Sequence, residues 1–104
     1  MNPLATVWVA KLRSGEIGQL QNRLTNPEGT QMCCMGVLCQ VAGLPRTGSL
    51  FHSPDEGTHT AFAPMSLTDS IGLSETNVTE LIEGNDCDNW TFLDIADRIE
   101  QMLA

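Results

Sequence analysis

Tyrosine is absent from these 104 residues, and the aromatic complement is limited to three Phe and two Trp. Cations are almost as scarce, with five Lys and Arg against thirteen Asp and Glu, for a formal net charge of -8. A chain this acidic lacks the dense Lys and Arg with which nucleic-acid binders neutralise phosphates, so no direct nucleic-acid contact is expected. No apolar run approaches the length of a membrane span, and no basic-plus-apolar leader opens the sequence. These absences predict a soluble cytoplasmic protein with reduced thiols. No HExxH, GxSxG or glycine-rich phosphate cradle occurs. The sequence therefore points away from an enzyme, with no catalytic residues and no cofactor expected.

What the chain does have is a cysteine-rich apolar run, Gln31-Met-Cys-Cys-Met-Gly-Val-Leu-Cys-Gln-Val-Ala-Gly-Leu-Pro45. At about 100° per residue, Met35, Leu38, Cys39 and Ala42 share one helical stripe, while Cys34, Val37, Leu38 and Val41 share the next. A helix apolar all round is surrounded by other elements, and Gly43 with Pro45 ends it. On such a helix Cys33, Cys34 and Cys39 project in different directions, so they do not converge on a metal ion. Structural zinc also favours paired C-x₂₋₄-C ligands, whereas the one other cysteine is Cys87, beside Asp86 and Asp88. The thiols are expected to pack as small hydrophobes. Cys33 is the best reactive candidate, because a helix start lowers a thiol pKa.

One domain of this size builds a modest core without obligatory staples. Asn2-Pro3 predicts a capped first helix carrying Leu4, Val7, Trp8 and Leu12, ended by Ser14-Gly15. Leu20–Thr25 and Gly29–Met32, flanking Asn26-Pro27-Glu28-Gly29, predict a small hairpin before the Cys helix. Between Leu44 and Pro64 a second hairpin or ordered loop is expected, with apolar pairs Leu50-Phe51 and Ala61-Phe62 on either side of the polar tip His52–His59. That tip holds two His, Asp55 and Glu56, a candidate metal set whose simpler reading is a solvated turn. Ser66–Ile71 predicts a short helix, and Glu75–Glu83 another, with Val78, Leu81 and Ile82 on one face and Gly84-Asn85 as its stop. Thr91 and Asp94 form a near capping box before Phe92, Ile95, Ala96, Ile99, Met102 and Leu103, with Trp90 as a staple. Asn77-Val-Thr79 and Asn89-Trp-Thr91 fit the glycosylation sequon but read as helix-start chemistry. The fold class expected is a small α+β single domain with a central buried Cys-rich helix, packed by N- and C-terminal helices, with one or two short β-hairpins.

The order of motifs Lys11-Leu-Arg-Ser-Gly-Glu16, Arg23-Leu24, Cys33-Cys-Met-Gly-Val-Leu-Cys39, Leu73, Leu81, Asn85-Asp86 and Phe92-Leu-Asp-Ile-Ala-Asp-Arg-Ile-Glu100 resembles a family of small uncharacterised proteins of bacteriophages and some bacteria. The likeness spans nearly the whole chain. Met35, where Leu is usual, and Cys87-Asp-Asn89, where a Gly-containing turn is usual, depart from the pattern. The resemblance implies a phage or phage-derived context and a host-cell cytoplasmic location. It implies no mechanism.

Charge is unevenly spread. Residues 1–46 hold Lys11, Arg13, Arg23 and Arg46 against Glu16 and Glu28, whereas residues 66–104 hold nine acids against Arg98 alone. The leading functional expectation is a non-enzymatic phage-type accessory protein that binds and inhibits a host defence or regulatory component. Its partner surface would be Glu80, Glu83, Asp94, Asp97 and Glu100. A duplex-mimicking acidic surface is a narrower variant, and simple solubility is the plain one. The alternative expectation is an oligomer that sequesters a nucleotide-like ligand. There Lys11, Arg13 and Arg23 supply phosphate contacts, Trp8 or Trp90 stacks on a base, and the Asn85-Asp86 corner contributes polar groups. That corner also reads as a plain helix end and turn. An enzyme would draw on Cys33 or Cys34 with His52 or His59, and a purely assembling component is a further possibility.

Overall fold

The computed structural model describes all 104 residues. Its elements are α1 (Pro3–Ser14), β1 (Gly18–Gln19), β2 (Gln31–Met32), α2 (Cys34–Val41), β3 (Arg46–Thr47), β4 (Leu50–Ser53), β5 (Gly57–His59), α3 (Met65–Ser70), α4 (Glu75–Asp86) and α5 (Phe92–Leu103). The chain is a small α+β domain. No helix is long and apolar enough to cross a membrane.

Helix α1 starts as its sequence dictates: the Asn2 side chain accepts from the Ala5 amide, Pro3 occupies the first turn, and Gly15 ends the helix at φ 73. Its buried stripe is Ala5, Trp8, Val9 and Leu12. Val7, expected inward, is about half exposed, and Val9 replaces it in the core. Helix α2 lies against α1 and α4, and α5 packs on α1 and α4 in turn. Every residue from Cys34 to Cys39 is buried, so the central Cys-rich helix is the core of the domain. Trp8 is fully buried and donates Nε1–H to the Cys34 carbonyl at 2.9 Å, which joins α1 to the start of α2.

The sheets are small. β3, β4 and β5 form an antiparallel meander with Phe51 opposite both Arg46 and His59. Of the two forms expected for this region, hairpin or ordered loop, the hairpin is present, but it turns over Pro54-Asp55-Glu56 and closes by His59, leaving Ala61-Phe62 outside. Strand β3 was not anticipated, although the two-residue Gly48-Ser49 connection is a hairpin signal. Before α2 the expected hairpin is replaced by a different arrangement. β2 pairs in parallel with β1, Gly18 opposite Gln31, and the antiparallel register survives only as the Thr25–Met32 bridge. The intervening turn is tied by the Asn26 side chain, which accepts from the amides of Thr30 and Gln31. The chain instead carries Leu24 inward: its carbonyl accepts from the Cys33 amide and its backbone crosses Gly36, where a Cβ would overlap it.

Helix α4 runs through Gly84-Asn85 to Asp86 instead of stopping there. Gly84 is needed because the Trp90 ring lies on it, leaving no room for a Cβ. Asn85 is held in the helix by tertiary hydrogen bonds. Its left-handed role passes to Asn89, at φ 57. Helix α5 begins with a complete Thr91–Asp94 capping box and buries Phe92, Ile95, Ala96 and Ile99.

Candidate functional site

The densest polar arrangement surrounds Asn85 and Asp86. Asn85 is 1% exposed. Its Nδ2 donates to the Leu20 carbonyl at 2.9 Å and to Asp86 Oδ1 at 2.8 Å, while its Oδ1 accepts from Gln19 Nε2 at 3.0 Å. Asp86 Oδ1 also accepts from the amide of Asn22, a residue at φ 69. Gln19 Nε2 reaches the Trp90 carbonyl at 2.7 Å as well. The end of α4 thus clamps the 19–22 loop to the start of α5. An open cleft of about 520 Å³ follows this seam, lined by Gln19, Gln21, Asn22, Asn89 and Trp90.

The cations expected to join Asn85, Asp86 and Trp90 at a ligand site lie elsewhere. Lys11 pairs with Glu16 beside a separate cavity next to α2. Arg13 bridges α1 to α5 by pairing with Asp97, at 2.8 Å, and Glu100. The guanidinium holds the Glu100 carboxyl below its ordinary range. Arg23 borders a third cavity, with Asn22, Ser49 and Thr60. Of the two Trp, Trp8 is sealed in the core, and half-buried Trp90 alone reaches a cleft.

The acidic residues divide in the same way. Glu80 on α4 pairs with Arg98 on α5, and Asp97 and Glu100 pair with Arg13. Asp94 caps α5 by accepting from the Thr91 amide. Glu83 remains exposed with no hydrogen-bond or ion-pair partner for its carboxylate, as does Asp88 beyond the helix. Between Arg46 and Arg98 the chain contains no Lys or Arg at all.

Three of the four thiols are buried. Cys33 caps α2 through Sγ, 3.4 Å from the Gly36 amide, yet burial outweighs this bond and pushes its pKa up to about 11. The expectation that a helix start would activate Cys33 is thereby reversed. Burial likewise raises Cys34 and takes Cys39 up to about 12. All four cysteines are free, Cys87 alone is exposed, and no group of three His, Cys, Asp or Glu is placed to hold a metal ion. The His52–His59 tip has a structural use instead. Glu56 caps α3, accepting from the Met65 and Ser66 amides and the Ser66 hydroxyl, and these bonds hold its carboxyl below the usual range.

A second feature had no sequence signal. Phe62 and Met65, 65% and 56% exposed, face Val78 and Ile82 of α4 across an apolar groove of about 290 Å³. Phe62 belongs to the apolar pair expected to flank the tip of the second hairpin or ordered loop. Residues 1–47 are similar to a family model described as a domain of unknown function (DUF8296), a span that covers α1 to β3 and ends before the groove and the α4–α5 corner. Neither a curated protein nor a solved structure matches the chain.

Proposed function

We propose that this protein is a non-enzymatic binding protein whose partner is a protein with a basic surface. The observation that carries this reading is the cation-free stretch between Arg46 and Arg98, which leaves Glu83 and Asp88 as unneutralised carboxylates on the exposed side of α4 and its end. Opposite charges across an interface steer encounter and set specificity. On its resemblance to small phage-encoded proteins, the partner is a host defence or regulatory component that this protein inhibits.

Geometry refines the test. Reversing Glu80, Asp94, Asp97 or Glu100 would break an ion pair or a cap as well as the surface, so Glu83→Lys with Asp88→Lys is the cleaner pair. Tagged wild-type protein should retain a host protein at low salt and release it as ionic strength rises. The double variant should lose it with an unchanged melting temperature. Retention by the variant would overturn the acidic-surface reading.

The alternative, an oligomer sequestering a nucleotide-like ligand, draws its support from the cleft where Trp90 meets the amide side chains of Gln19, Gln21, Asn22 and Asn89. Within one chain that cleft lacks Lys11, Arg13 and Arg23, so phosphate contacts would come from a second copy. Native mass spectrometry separates the readings: an oligomer with extra mass supports sequestration, and a bare species supports a protein partner.

A further inference from the structure

The apolar groove beside α4 is built from two sides. On α4, Glu75, Val78, Thr79 and Ile82 recur at i, i+3, i+4 and i+7 and form one face. Opposite them stand Phe62, just ahead of α3, and Met65, its first residue, the two most exposed of the large hydrophobics apart from Leu93. Leaving both in water forgoes burial of large apolar side chains, and a groove of this kind marks an interaction site. Its rim is acidic. Asp69 from α3 and Glu75 from α4 line it, no cation does, and Glu56 sits against the amides of Met65 and Ser66 at one end. Glu83 is about 80° round α4 from Glu75 at 100° per residue. The acidic rim therefore continues onto the exposed side of α4.

We propose that this groove is a docking site for a basic amphipathic segment of a partner protein, whose apolar side chains enter between Phe62, Met65, Val78 and Ile82 and whose lysines or arginines meet Asp69 and Glu75. Apolar anchors seated in a groove with charges at its edge are the usual arrangement of helix-in-groove recognition. The rim selects the sign of the partner: an acidic segment would set like charges against Asp69 and Glu75, with no Lys or Arg in the groove to relieve them. The assignment rests on the binding-protein reading above and locates the surface that would serve it.

The test uses the intact protein and a synthetic helical peptide of roughly 14 residues, about four turns, with Leu at i, i+3, i+4 and i+7 and Lys on its flanks. Companion peptides replace Lys by Glu or Leu by Ser. In ¹H–¹⁵N spectra the Leu/Lys peptide should shift residues of the 62–68 and 78–82 segments. Phe62→Ser with Met65→Ser should weaken binding about tenfold. Both positions are mostly exposed, so the fold should be retained. Asp69→Asn with Glu75→Gln should weaken binding about threefold and flatten its salt dependence. The Leu/Glu and Ser/Lys peptides should not bind. Shifts centred on Glu83 and Asp88, insensitive to Phe62→Ser and Met65→Ser, would overturn the groove while keeping the basic-partner reading. No shift anywhere at millimolar peptide would overturn both. A concentration-dependent dimer that protects the groove would replace the partner by a second copy of this chain.

Discussion

Gly84 and Asn85 look like a helix terminator, and each instead serves a tertiary contact. Glycine in a helix interior costs about 1 kcal/mol relative to alanine, and seating the Trp90 ring offsets that cost. Gly84→Ala should therefore destabilise despite its better helix propensity, because the added methyl must displace the ring. A net loss of about 1–2 kcal/mol corresponds to a melting temperature lower by roughly 5–10 °C. An unchanged or raised value in a circular-dichroism melt would show that the ring is not seated there. The buried thiols make a pH-dependent prediction. Their pKa values are higher folded than unfolded, so both states hold the proton below about pH 8.5, the ordinary thiol value. Above it the unfolded chain ionises first and stability falls, through the interval up to about 11 for Cys33 and about 12 for Cys39. Urea midpoints at pH 8 and pH 10.5 should show this decline. A thiol reagent at neutral pH should label Cys87 at once and the other three only on unfolding.

Helix starts obeyed local rules where a side chain caps them, whereas the Gly84-Asn85 stop of α4 did not hold. Asn2-Pro3 and Gly15 bound α1, and Thr91 with Asp94 opens α5. Replacing Thr91 by Ala removes the acceptor for the Asp94 amide and should cost about 1 kcal/mol, read as a lower urea midpoint with an unchanged slope. An unaltered midpoint would mean that α5 is held by packing alone. The short strands were less legible. Two-residue strands such as β1 and β2 have no periodicity to read, and the 19–22 loop that follows β1 is bonded to Asn85 and Asp86, far away in the chain. The local turn at Asn26–Gly29 was visible; the direction of the chain around it was not.

Across the molecule the balance of charge decides how salt acts. The ion pairs of Lys11, Arg13 and Arg98 are at the surface, where such pairs contribute little. Self-repulsion of a chain with net charge -8 opposes folding more broadly. Raising sodium chloride from about 10 to about 150 mM shortens the Debye length from about 30 to about 8 Å, so the melting temperature should rise. A fall would show that the Arg13 and Arg98 bridges outweigh the repulsion. The polarity of the charge was plain in the sequence, but its distribution was not. Arg13 turns out to neutralise Asp97 and Glu100 from the other end of the chain, whereas Glu83, Asp88 and the groove rim keep exposed acids with no ion-pair partner.

Sequence alone carries the central Cys-rich helix, the capped first and last helices, and a hairpin or ordered loop between Leu44 and Pro64. Each follows from neighbours within a few residues, through helical periodicity, caps and turn chemistry. Only the tertiary structure decided that Cys33 is deactivated by burial, that Asn85 is a buried clamp, that Lys11, Arg13 and Arg23 stand apart, and that Phe62 and Met65 face α4 across an open groove. Those outcomes depend on desolvation and on contacts between residues distant in the chain, including the 65 residues that separate Leu20 from Asn85. Local patterns contain neither.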